Sequence, residues 1–149
     1  GIDRGDECRH CAAWGVRLMI GLDTNVLVRY IMQDDPRQSS KATRLIESLD
    51  ADSPGFIAVV SVVELYWVLT SCYGLNAHDV KRALEALLRA KQIVVDRADQ
   101  VLRALRSFND GKADFADCLI ERISSSVGCT ETLTFDAGAA KYAGMSLLR

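Results

Sequence analysis

The sequence predicts an α/β domain, with a mostly parallel central sheet flanked by helices. Three observations point there. Short apolar, β-rich stretches alternate with amphipathic helical stretches from Met19 onward, the pattern of stacked βα units. Residues 56–60 are continuously apolar, as a strand covered on both faces is. Acidic residues recur just after the predicted strands, and in an open parallel sheet the carboxyl ends of the strands form the edge that bears the site.

Residues 19–22 read as a short buried strand ending at Asp23. Val26, Leu27, Tyr30 and Ile31 then recur at helical spacing, and Asp34-Asp35-Pro36 stops or bends that helix. Residues 39–49 form a helix with Ala42, Leu45, Ile46 and Leu49 on one face, and Asp52-Ser53-Pro54-Gly55 is a turn. After the strand at 56–60, Ser61 or a neighbour caps a helix that carries Glu64 in its first turn and runs on to Gly74. His78 falls in a loop before an amphipathic helix at 79–90, with Val80, Ala83, Leu84, Leu87 and Leu88 inward. A strand at 93–95, a helix at 101–108 and an Asn109-Asp110-Gly111 turn follow. A helix at 114–124 buries Cys118, Leu119 and Ile123, and the chain closes with a strand at 132–134, Asp136 and a helix of small residues.

The chain of 149 residues is one domain's worth of sequence, and 49% hydrophobic with 26% charged residues is a globular composition. No apolar run approaches the roughly 20 residues of a membrane span, so no membrane association is expected. With a net charge of −2, bulk positive charge cannot be what holds a nucleic acid. Five Cys, an odd number, argue against a disulfide framework and for a reducing cytoplasm. Cys72, Cys118 and Cys129 read as small core hydrophobes. Cys8-Arg9-His10-Cys11 offers three metal ligands where a structural zinc site needs four. Residues 1–18 lack either periodicity and read as an N-terminal extension or a cloning remnant, which leaves 19–149 as the domain.

The carboxylates carry the functional signal. Asp23 follows the first strand, Glu64 opens the helix after the second, and Asp136 follows the last, while Asp114 and Asp117 lie three apart on one helical face. Two like charges ~4 Å apart repel by roughly 4 kcal/mol at an effective dielectric near 20. Several together require protons or cations between them. Carboxylate oxygens with water suit Mg²⁺ or Mn²⁺, and such a site suits metal-assisted hydrolysis of a phosphodiester. Each acid also fits a structural role: Asp23 and Asp136 as helix caps, Glu64 as a first-turn acid facing the helix dipole, and Asp114 with Asp117 as a cap and third helical position akin to a capping box.

Leu22-Asp23-Thr24-Asn25-Val26-Leu27 resembles the opening motif of PIN-domain ribonucleases, especially the VapC toxins of bacterial toxin–antitoxin pairs. Val60-Ser61-Val62-Val63-Glu64-Leu65 resembles the family's second motif, Ala113-Asp114-Phe115-Ala116-Asp117-Cys118-Leu119-Ile120 the third, and Leu133-Thr134-Phe135-Asp136 the fourth. The likeness covers essentially residues 19–149 as a single PIN-like domain. It implies that Asp23, Glu64 and Asp117 are the metal-binding acids, with Asp114 an additional one and Asp136 the more variable fourth. It implies that Thr24 or Asn25 orients Asp23 or a water, and that Thr134 does the same for Asp136. It further implies an RNA substrate such as a transfer RNA or a ribosomal RNA loop, a homodimer, and a cognate antitoxin that inserts a segment into the acidic groove.

The expected activity is thus a Mg²⁺- or Mn²⁺-dependent endoribonuclease acting as the toxin of a type II pair in the cytoplasm. Arg29, Arg37, Lys41, Arg44 and Lys112 either guide phosphates or form a solvated face, and Tyr66 and Trp67 read as core or dimer packing. The alternative is a non-catalytic module whose acidic pocket docks a basic peptide. An aspartyl phosphotransferase would want an acid where Asn25 stands, and a nucleotide binder would want a glycine-rich phosphate loop that the sequence lacks.

Overall fold

The structure, a computed structural model, describes residues 18–108 and 112–149. Most of the predicted leader, with Cys8, His10 and Cys11, and the turn at 109–111 lie outside the described residues. In chain order the elements are β1 (Ile20–Gly21), α1 (Thr24–Met32), α2 (Pro36–Ser48), β2 (Gly55–Ile57) and α3 (Val59–Trp67), which continues through a π-helical turn (Val68–Cys72). Then come α4 (Ala77–Arg89), β3 (Ile93–Val95), α5 (Ala98–Ser107), α6 (Phe115–Ser126), β4 (Leu133–Thr134), α7 (Ala137–Tyr142) and β5 (Ser146–Leu147). Among the described residues no helix is long and apolar enough to cross a membrane.

The strands β1, β2 and β3 form one parallel sheet in that order, with Gly21 beside Phe56 and Phe56 beside Val94. The ladder runs past the strand ends: Leu22 N–H donates to Phe56 O at 2.8 Å and Asp96 N–H to Ile57 O at 2.8 Å. Asp23, Ala58 and Asp96 therefore stand at one carboxyl edge. The sheet is tightly covered, since a Cβ at Gly55 would lie 2.7 Å from Leu22 Cδ1 and 2.9 Å from Leu49 Cδ1. Side chains from both sheet and helices, among them Leu27, Ile46, Ile57, Leu65 and Leu105, are wholly buried in one core. This is the α/β arrangement the alternation of elements predicts.

Several elements depart from expectation for identifiable reasons. The strand at 56–60 stops at Ile57, and Val59 and Val60 belong to α3. No side chain of the preceding residue Ala58 caps that helix, and Ser61 lies inside it. The Val59 N–H instead donates to Asp96 Oδ2 at 3.3 Å, across from the end of β3. Glu64 consequently sits in the second turn rather than the first. The β-branched run is helical because α3 buries Val62 and Leu65, and packing overrides local propensity.

Asp34-Asp35-Pro36 does more than stop a helix. Gln33 ends α1 with a φ of 54°, Asp35 Oδ1 accepts from the backbone N–H groups of Arg37 and Gln38, and Pro36 opens α2, where its missing N–H costs nothing. His78 lies in the first turn of α4, behind the Asn76 cap, rather than in a loop. Helix α5 starts at Ala98, a turn earlier than the apolar spacing indicates. The strand β5 was not foreseen; it pairs in parallel with β4 as a separate two-stranded ladder. Cys118 is buried, but Cys72 and Cys129 are exposed rather than core residues. Burial pushes the Cys118 thiol up to about 11, which suits an inert packing role.

Candidate functional site

Three helix starts and one helix face supply the acids. Asp23 leaves β1 in extended conformation and caps α1, its Oδ1 accepting from Thr24 N at 2.8 Å. Asp114 caps α6, with Oδ1 accepting from Ala116 N at 2.7 Å and Asp117 N at 3.3 Å. Asp136 caps α7 through Gly138 N at 2.8 Å. The capping role is therefore real at all three, yet each cap engages only Oδ1 and leaves Oδ2 without a hydrogen bond among the described residues. Glu64 and Asp117 differ. Neither side chain has a hydrogen bond or ion pair among the described residues, and Asp117 is half-buried.

Packing sets the relation between these acids. Tyr66 stacks on Phe115 with centroids 4.9 Å apart and meets Phe108 edge-on at 6.1 Å, while Phe108 meets Phe115 edge-on at 6.2 Å. That aromatic trio ties α3, which bears Glu64, to α6, which bears Asp117. Tyr66 is thus a core residue, as expected of it. Burial raises its pKa first, and the charge on Asp114 raises it further.

The acids fall into two groups. Asp23 and Glu64 line one cavity of about 350 Å³ with Thr24, Asn25 and Arg29. Asp114, Asp117 and Asp136 form the second group. Burial pushes the Asp117 carboxyl above its ordinary range, and the charges on Asp114 and then Asp136 push it the same way. Asp136 joins this group although β4 belongs to a ladder apart from the three-stranded sheet. Glu64 also lines an apolar groove of about 500 Å³ with Ala116, the residue before Asp117.

As they stand, no three His, Cys, Asp or Glu side chains among the described residues are close enough to hold a metal ion. The donor chemistry nonetheless fits a hard divalent cation. The available atoms are all carboxylate oxygens, and a cation would offset both the burial that chiefly raises Asp117 and the smaller push from Asp114 and Asp136. Thr24, Asn25 and Thr134 take different parts. The Thr24 hydroxyl is buried without a partner among the described residues, and it is the Thr24 backbone N–H that meets Asp23. Asn25 is exposed in the cavity wall. Thr134 Oγ1 accepts from the Asp136 backbone N–H at 3.0 Å, holding the backbone rather than the carboxylate.

Sequence reasoning missed a network on the cavity wall. Arg29 Nη1 donates to Asp34 Oδ1 at 3.1 Å and to Tyr73 Oη at 3.0 Å, while Tyr73 donates to Asp34 Oδ2 at 2.7 Å. The Tyr73 hydrogen bond holds the Asp34 carboxyl below its usual range, helped by the Arg29 charge. Arg29 is thereby a fixed structural residue, and Asp34-Asp35 carried no signal beyond a helix end. Asp96 was discoverable, because it directly follows the strand at 93–95 as Asp23 follows β1. Trp67, expected in core or dimer packing, is not a core residue: it is 59% exposed in the apolar groove beside Val60 at 74% and Ile120 at 51%.

Among family models, residues 20–145 match the one described as the PIN domain. No curated protein matches the chain.

Proposed function

The chain belongs to the PIN domain family, whose members are in general metal-dependent nucleases, and from that premise we propose that it is an endoribonuclease acting as the toxin of a type II toxin–antitoxin pair. Its substrate in this reading is RNA, its cofactor Mg²⁺ with Mn²⁺ able to substitute, and its compartment the cytoplasm. Asp23, Glu64 and Asp117 hold the cation, with Asp114 and Asp136 completing the negative field. When bound, a divalent cation lowers the pKa of a coordinated water and offsets charge on the leaving oxygen of a phosphodiester.

The chain's own residues do the rest. The caps at Asp23, Asp114 and Asp136 anchor one carboxylate oxygen each on a helix N-terminus, so the other oxygen is presented at a fixed place. Thr134 fixes the turn that carries Asp136. Glu64, exposed on its helix face and with no hydrogen-bond partner among the described residues, supplies the adjustable ligand. No covalent enzyme intermediate is needed.

The observation that carries the nuclease reading is the match of residues 20–145 to the PIN domain, supported by the half-buried Asp117 carboxyl beside Asp114 and Asp136. The apolar groove beside Glu64 supports the toxin reading, because it would let a protein partner such as an antitoxin, or a second copy of the chain, cover the acids.

The test is incubation of total cellular RNA with the purified protein and Mg²⁺ or Mn²⁺, with chelated samples and Asp23→Asn alongside. Asn caps a helix as well as Asp, so that variant removes charge while keeping the fold. Discrete fragments that require metal and Asp23 are expected. Absence of cleavage under every metal, together with metal-independent binding of a basic peptide, would replace the enzyme with the docking module.

A further inference from the structure

A second cavity, of about 480 Å³, opens between α1 and α2 next to the acids. Among the described residues it is lined by Val26, Ala42 and Leu45 and by the polar side chains of Asn25, Arg29, Gln38 and Lys41, none of them a carboxylate. Asn25 and Arg29 also line the cavity that holds Asp23 and Glu64, so the two spaces share a wall. We propose that this α1–α2 cavity is a phosphate subsite for the RNA strand, in which Lys41 binds a backbone phosphate flanking the bond to be cut. The proposal rests on the nuclease reading and adds to it where the substrate strand runs.

The charge balance of the lining singles out Lys41. Arg29 is committed: its Nε donates to Gln38 Oε1 at 2.8 Å, and its Nη1 is shared between Asp34 and Tyr73. Asp34 therefore neutralises the guanidinium at the rim. Lys41 is exposed and has no ion pair among the described residues. Gln38 spends its carbonyl oxygen on Arg29, which leaves its amide N–H groups as donors, and the exposed Asn25 amide adds two more. One ammonium and two amides make a donor-rich anion site.

Position gives that site its use. Five acids concentrate negative charge beside this cavity, so a cation that meets a flanking phosphate helps hold a strand across them. Of the exposed cations on α2, Lys41 lines the cavity, whereas Arg37 and Arg44 do not. That difference supplies the control.

The experiment compares Lys41→Ala, Lys41→Glu, Lys41→Arg and Arg44→Glu in the full chain. The probe is a fluorescent single-stranded RNA oligonucleotide, bound to each variant on an Asp23→Asn background and cleaved by each on the wild-type background. Lys41→Glu should weaken binding and raise KM by about tenfold with kcat little changed, the cost of one charge-assisted contact. In Lys41→Ala, the slope of log Kd against log salt should fall by about 0.7, the value for one single-strand phosphate. Lys41→Arg should restore binding, and Arg44→Glu should have a much smaller effect.

Equal effects of Lys41→Glu and Arg44→Glu, or an unchanged salt slope, would overturn the subsite and leave only diffuse attraction. Cleavage by the wild type with Lys41 inert removes the subsite alone. A wild type that neither binds nor cleaves RNA removes the nuclease reading and the subsite with it.

Discussion

The cavity that Glu64 shares with Asp23 and the groove that it shares with Trp67 lie against one helix, α3, yet they are built from different material. The cavity wall comes from a strand end, a helix cap and the Arg29–Asp34–Tyr73 network. The groove wall comes from apolar side chains of α3 and α6 that the core does not cover, such as Val60, Trp67 and Ile120. Charge is concentrated on one side and nearly absent from the other. The two surfaces thus adjoin at Glu64 while resting on otherwise separate side chains, so mutation can part the roles proposed for them.

The largest effect should fall on the acids without hydrogen-bond partners. Glu64→Gln and Asp117→Asn should each reduce metal-dependent RNA cleavage by at least about 100-fold, since even outer-shell partners of metal ligands are worth 10–100-fold. The Asp117 variant should at the same time melt higher than the parent at neutral pH without metal. The sign follows from its raised pKa: the folded chain holds that proton more tightly than the unfolded chain. Stability from this group is therefore full below the unfolded carboxylate value and lost as pH rises through the folded one. Asn carries no such penalty, and a melting series between pH 4 and 8 reads the difference.

Next in size is the contrast within α3 itself. Leu65 is wholly buried, and Leu65→Ala should cost about 2–5 kcal/mol in urea denaturation. Trp67 is largely exposed two residues later, and Trp67→Ala should stay within about 0.5 kcal/mol. If the groove serves a partner, that substitution should weaken protein association while leaving RNA cleavage intact. A large stability loss at Trp67 would mean that the groove belongs to the core.

The smallest effect separates a cap from a charge. Asp136→Ala should cost about 1 kcal/mol of stability, whereas Asp136→Asn should cost almost none, because either Asp or Asn accepts from Gly138 N. Both should lower cleavage alike if the Asp136 charge contributes to the site. Thermal melts beside RNA cleavage assays distinguish the two contributions.

Much of the site is legible in one dimension because it is made locally. An acid after an apolar strand, as at Asp23 and Asp136, two acids three apart at a helix start, as at Asp114 and Asp117, and a cap hydrogen bond between near neighbours are all short-range features. The 93–95 strand was placed correctly because three β-branched residues stand between polar boundaries. The boundary of β2 and α3 was misplaced for the opposite reason: Val59 and Val60 favour a strand locally and are helical only through packing. The two-residue β5 is too short to carry any periodicity.

From the order of its residues alone, this chain reveals its α/β class, the succession of its main elements and the identity of five candidate acids. Those properties arise from hydrophobic period and short-range hydrogen bonding, which operate within a few residues. The folded molecule adds which acids keep company and what surrounds them. Asp96 reaches the start of α3 from 37 residues away, and Tyr73 bonds Asp34 across 39. Tyr66 packs between Phe108 and Phe115, and Trp67 is left on the surface. Such contacts depend on how distant elements meet around the core, where burial and neighbouring charge act through space and carry no local signature in the chain.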